Sequence, residues 1–125
     1  MANPHALAIE DDEEIAEFYG RVLESLGFEA EIIRNGEAAL ARLAAVVPSL
    51  VLLDLNLPSR VSGCDILHQI RADPRLTETR VIVITGHAEL AETVRDEADL
   101  VFIKPVDIGD LGDLIARLQP RGKSG

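Results

Sequence analysis

Short apolar runs alternate with amphipathic segments from one end of this chain to the other. The runs are Ala6-Leu7-Ala8-Ile9, Phe28 to Ile33, Ser49-Leu50-Val51-Leu52-Leu53-Asp54, Arg80-Val81-Ile82-Val83-Ile84 and Leu100-Val101-Phe102-Ile103. Most are continuously apolar, as strands buried on both faces are. Phe28 to Ile33 differs, because Glu29 and Glu31 alternate with Phe28, Ala30 and Ile32. That period of two predicts an edge strand with one wet face.

The intervening segments have helical spacing. Ile15, Phe18, Tyr19, Val22, Leu23 and Leu26 form one face of a helix from Asp12 to Leu26, which Gly27 stops. Asn35-Gly36 makes a turn before an Ala/Leu-rich helix from Glu37 to Val47, broken by Pro48. Further helices are expected over Asp65 to Arg71, Ala88 to Glu97 and 107–118, the last carrying Ile108, Leu111, Leu114, Ile115 and Leu118 inward. Residues 119–125 read as a polar, frayed tail. Five strands alternating with five helices imply βαβ units on a parallel sheet. Right-handed crossovers then restrict the fold to a doubly wound α/β sandwich.

The 125 residues, 47% of them apolar, suit one domain with one core built from Val, Ile, Leu and Ala, since aromatics are scarce. A net charge of −10 argues against non-specific binding to nucleic acid or anionic membranes. The single cysteine, Cys64, excludes an intrachain disulfide framework and suits a reducing compartment. Neither a signal-peptide pattern nor an apolar run near ~18 residues is present, so a cytoplasmic chain is expected.

In open parallel sheets, ligands sit beyond the carboxyl ends of the strands. Here those ends are polar: Glu10-Asp11-Asp12, Asp54, Thr85 and Lys104-Pro105. Singly, each has an ordinary reading. Asp11 with Glu14 matches a capping box, and Asp12 is an alternative cap. Asp54 can open a turn, Thr85-Gly86 can be a strand exit, and Lys104 can be a charge before a rigid turn. Together they are harder to dismiss. Carboxylates gathered at one edge repel, and Mg²⁺, which takes one or two carboxylates plus waters and phosphate oxygen, relieves that repulsion. Asp54 can then act as a nucleophile and form an aspartyl phosphate. Thr85 and Lys104 would hold the phosphoryl oxygens.

At these residues the chain resembles the receiver domain of bacterial two-component response regulators. The matching segments are Leu7-Ala8-Ile9-Glu10-Asp11-Asp12, Val51-Leu52-Leu53-Asp54-Leu55-Asn56-Leu57-Pro58, Val83-Ile84-Thr85-Gly86 and Phe102-Ile103-Lys104-Pro105, in order, over about residues 5 to 118. The resemblance implies five strands in the flavodoxin-like order 2-1-3-4-5. It implies Asp54 as phosphoacceptor, Asp11 and Glu10 with the Asn56 carbonyl as Mg²⁺ ligands, and Thr85 and Lys104 on the phosphoryl group. It implies a cis bond before Pro105 and leaves Asp12 as cap or outer carboxylate. The implied partners are a histidine kinase or histidine phosphotransfer protein and a downstream protein target, with no direct nucleic-acid or membrane contact.

Three departures from the family pattern stand out. Val101 occupies the position of the usual aromatic switch residue; a plain core role is its simpler reading. The stretch from Thr85 to Lys104 is a few residues shorter than usual, so the fourth helix is trimmed. Ser59-Arg60-Val61-Ser62 makes the loop after Pro58 one residue longer, with Arg60 either reaching the phosphoryl group or solvated. Asn56 and His87 flank the expected path of attacking water, and His87 has a second reading as the entry residue of the fourth helix. Cys64 is expected to pack near the start of the third helix. Val101 and the shortened fourth-helix region also suit an interaction module that signals without phosphorylation, and an Asp-dependent phosphatase is a third alternative, which lacks its second Asp because position 56 is Asn.

Overall fold

The structure, a computed structural model, describes residues 3–118. The elements run β1 (His5–Ile9), α1 (Glu13–Ser25), β2 (Glu29–Ile33), α2 (Gly36–Ala45), β3 (Leu50–Asp54), α3 (Gly63–Ala72), β4 (Arg80–Thr85), α4 (Ala88–Val94), β5 (Leu100–Ile103) and α5 (Ile108–Arg117). A 3-10 turn at Pro74–Leu76 joins α3 to β4. The five strands pair in parallel in the order β2-β1-β3-β4-β5, as expected. The frayed tail expected at 119–125 lies outside the described residues.

Parallel sheets are covered by helices on both faces, and each face of this sheet has its own apolar layer. Leu7, Ile9, Val51, Leu53, Val81 and Val83 pack with α2, α3 and α4 through Leu43, Ile66, Leu67, Ile70 and Val94. Ala6, Ala8, Leu50, Leu52, Ile82 and Ile84 pack with α1 and α5 through Tyr19, Leu23, Leu111 and Ile115. β3 is buried at every position, including Asp54. β2 is the edge strand expected, but it has no clean wet face: Ile32, expected inward, is 39% exposed, and Glu31, expected in water, is half-buried, accepting from Arg42 Nε at 2.9 Å and lying 3.1 Å from His5 Nε2.

Several boundaries differ from the periodic reading. The cap of α1 is Asp12, whose side chain accepts from the Ile15 amide at 3.0 Å, so the Asp11–Glu14 capping box does not form. Phe18, read as inward, is 46% exposed. The third helix starts two residues before Asp65, because Ser62 caps it and Asp65 returns a bond to the Ser62 amide. The fourth helix ends at Val94 rather than Glu97. There Arg71 Nε takes the Glu97 carbonyl at 2.6 Å, and Asp99 receives the Val81 amide at 2.7 Å. These bonds draw the chain off the helix and onto β4. Among the described residues, no helix is long and apolar enough to cross a membrane.

Candidate functional site

β1 and β3 are neighbours at the centre of the sheet, so the residues that leave their carboxyl ends meet. Carboxylate oxygens of Glu10, Asp11 and Asp54 lie within 4.8 Å of one another. Glu10 and Asp54 are buried, and Asp11 stands at the rim. The loop after β5 brings in Lys104, whose Nζ donates to Asp54 Oδ2 at 2.8 Å and to Glu10 Oε1 at 3.3 Å. The Lys104–Pro105 bond is cis.

Asp54 is held by both of its oxygens. Oδ1 accepts the Asn56 amide at 2.8 Å, while Oδ2 takes the lysine. Gly63, at the start of α3, sits against this backbone: a Cβ there would lie 2.4 Å from Leu55 Cα and 2.6 Å from the Asp54 carbonyl. The helix can approach the acidic residue so closely only without a side chain.

The charges are strongly coupled. Burial, followed by the neighbouring Asp54 carboxyl, pushes Glu10 up to about 8. For Asp54, burial opposes ionisation, but Glu10, Lys104 and the Asn56 amide outweigh it and hold the carboxyl below its usual range. Burial opposes the charge of Lys104 as well, and the attraction of Asp54 and Glu10 prevails, so the ammonium is kept. Glu10 Oε2 is buried with no hydrogen-bond partner. An orphaned carboxylate oxygen beside two further carboxylates is a donor set suited to a hard divalent cation.

Thr85 ends β4 fully buried, and its Oγ1 accepts the His87 amide at 3.1 Å. His87 is the exposed N-cap residue of α4 and makes no side-chain cap bond. Asn56 is exposed beside the acidic group. Val101 does not reach the site: it pairs with Val83 and packs, half-buried, on the layer shared with α3 and α4. Arg60 is exposed, in keeping with its solvated reading. Cys64 lies in the first turn of α3, partly buried against the core, and burial raises its thiol pKa. Three neighbours escaped the sequence reading. Arg34 donates from Nε to the Asp11 carbonyl at 2.9 Å. Ser59 accepts the Gly36 amide at 2.9 Å. Tyr19, nine-tenths buried, is pushed up to about 12 by burial, partly offset by Lys104.

Residues 6–116 match the response regulator receiver domain family. The chain belongs to that family. It is 31% identical over 123 residues to the phosphate regulon transcriptional regulatory protein PhoB of Rhizobium meliloti, covering 96% of this chain and 54% of PhoB. It is likewise 31% identical to the DNA-binding response regulator MtrA of Mycobacterium tuberculosis, over 92% of this chain and 49% of MtrA. The chain thus spans about half the length of the curated relatives it matches. Among solved structures, the CheY-like receiver domain from Methylobacillus flagellatus superposes with a TM-score of 0.79 at 31% identity, covering 90% of this chain and 96% of that one. In this receiver domain the four segments that carry the resemblance fall at the carboxyl ends of β1, β3, β4 and β5.

Proposed function

We propose that this receiver domain accepts a phosphoryl group on Asp54 from a phosphorylated histidine of a kinase or phosphotransfer protein, and passes the new state to a protein target. The observation that carries the reading is the Lys104 ammonium 2.8 Å from Asp54 Oδ2, beside two further carboxylates. A buried carboxylate kept ionised is a nucleophile, and the lysine has only to shift to a phosphoryl oxygen. An Asp54 oxygen attacks phosphorus, the P–N bond breaks, and the imidazole nitrogen leaves with the electron pair and is protonated from solvent. The Thr85 hydroxyl accepts the His87 amide and keeps its own proton to donate to a phosphoryl oxygen. Glu10, Asp11, Asp54 and the Asn56 carbonyl would hold Mg²⁺, which when bound neutralises charge between carboxylates and phosphoryl oxygens. Asp12 caps α1 through the Ile15 amide. Asn56 and His87, both exposed at the rim, govern water access to the acyl phosphate. Because Val101 is a core residue, conformational readout runs through groups other than an aromatic at that position.

The test is phosphotransfer from a labelled histidine kinase, with and without chelator. Label should migrate to the wild-type chain and remain on the kinase when Asp54→Ala is the acceptor or Mg²⁺ is removed. Label that migrates equally to Asp54→Ala contradicts the proposal.

A further inference from the structure

Ile33-Arg34-Asn35-Gly36, the junction between β2 and α2, offers no ligand to the acidic cluster, yet it touches both loops that do. The Ile33 carbonyl accepts the Glu10 amide at 3.0 Å. Arg34 Nε donates to the Asp11 carbonyl at 2.9 Å. On the other side the Gly36 amide donates to Ser59 Oγ at 2.9 Å, and that hydroxyl donates to the Val61 carbonyl at 2.8 Å. A Cβ on Gly36 would lie 2.2 Å from the Val61 carbonyl oxygen, so the long loop after Pro58 is seated directly on the start of α2. Asn35 caps that helix through the Ala38 amide at 2.8 Å, which fixes the junction to a rigid element.

We infer that this junction is a brace that sets the separation of the Asp11 and Asn56 loops, with Arg34 and Ser59 as positioning residues for the divalent cation. The inference rests on the Mg²⁺ reading of the acidic cluster. The sheet fixes where the two loops begin, because β1 and β3 pair directly through Ile9 and Leu53. It does not fix their tips. Mg²⁺ demands near-octahedral geometry, so its affinity is sensitive to small errors in ligand spacing. Groups that orient ligands without binding the ion commonly change metal affinity by an order of magnitude or more.

The charge of Arg34 gives the test its sign. A guanidinium beside a cation site repels the cation, so charge alone predicts tighter Mg²⁺ binding when it is removed. A brace predicts weaker binding. Mg²⁺ is titrated calorimetrically into the wild type, Arg34→Ala, Arg34→Lys, Ser59→Ala and Ser59→Thr, and the metal-free melting point of each is recorded. The expected result is an affinity roughly tenfold weaker for both alanine variants and for Arg34→Lys, which keeps the charge and loses the Nε donor. Ser59→Thr, which keeps the hydroxyl, should restore binding, and the metal-free melting points should change little. Unchanged or tighter binding in Arg34→Ala and Arg34→Lys, or unchanged binding in Ser59→Ala, overturns the brace and leaves the metal site standing. A wild type that binds no Mg²⁺ overturns the metal site and the brace with it.

Discussion

The Lys104 ammonium lies 2.8 Å from Asp54 Oδ2, although fifty residues separate the two in sequence. Parallel topology opens the carboxyl ends of β3 and β5 on the same edge of the sheet, and the loop after β5 carries Lys104 past β4 to Asp54. Removing the lysine leaves Asp54 and Glu10 facing each other without a cation. Lys104→Ala should retain the fold and slow phosphorylation by about 100-fold or more, in the range typical of losing a group aimed at developing charge. The check is the rate of phosphate incorporation from a small donor. A rate near that of the wild type contradicts the role given to Lys104.

The pKa values give stability a definite pH dependence in the absence of metal. Glu10 is raised from an ordinary value of 4.5 to about 8. Between these limits the native state keeps a proton that the unfolded chain has lost, so stability falls as pH rises through the window. Asp54 is lowered from 3.8, so its contribution is present above that value and is lost as pH falls through its depressed native pKa. The metal-free domain should therefore be most stable near pH 4 to 5 and less stable by pH 8. Urea midpoints at pH 5 and pH 8 measure this. Glu10→Gln should remove most of the difference, and an equal loss in both proteins contradicts the coupling.

Mg²⁺ should reverse that loss. With a Kd of about 1 mM, a tenfold excess adds ~1.4 kcal/mol by mass action and raises the melting point by a few degrees. The rise should be larger at pH 8 than at pH 5, because binding at the lower pH must first displace the Glu10 proton. Thermal melts with and without the ion suffice, and a pH-independent or absent shift counts against the cluster as a cation site.

The alternation of apolar runs made the parallel sheet and its layering legible, because a strand buried on both faces can be written only as a continuous apolar run such as Leu50 to Leu53, whereas the strand order was legible only through the family resemblance. The site was legible for the same reason. A polar residue closing such a run, as Asp54 and Thr85 do, must lie at the ligand edge of a parallel sheet. What escaped depends on partners distant in sequence. A row of acidic residues cannot show which one caps α1, and Asp12 rather than Asp11 bonds the Ile15 amide. The length of α4 is set by Arg71 and Asp99, which no local window contains together. Arg34 and Ser59 reach their partners across 23 residues each and have no periodic signature.

The Arg71–Asp99 pair offers its own test. Asp99 is nearly buried and receives Arg71 Nη2 at 2.9 Å, Arg80 Nη1 at 3.0 Å and the Val81 amide at 2.7 Å. Arg71→Ala strips one partner from a buried charge and frees the Thr79 and Glu97 carbonyls. The expected cost is about 3 kcal/mol in urea unfolding, with amide signals of α4 most disturbed. A loss below about 1 kcal/mol, as for a surface pair, contradicts this.

Gly63→Ala tests how closely α3 must approach the acidic residue. The new methyl would sit 2.6 Å from the Asp54 carbonyl, so backbone must move. Destabilisation of about 1 to 3 kcal/mol is expected from overpacking, with phosphorylation slowed at temperatures where the variant is still folded. Normal phosphorylation in a folded variant contradicts this placement of the helix.

The central claim is that Asp54 carries the phosphoryl group. The most direct measurement is intact mass after incubation with acetyl phosphate and Mg²⁺, comparing the wild type with Asp54→Asn. One phosphate adduct on the wild type and none on Asp54→Asn is the result predicted by the 2.8 Å lysine contact and the three clustered carboxylates. No adduct on the wild type, or an equal adduct on both proteins, contradicts it.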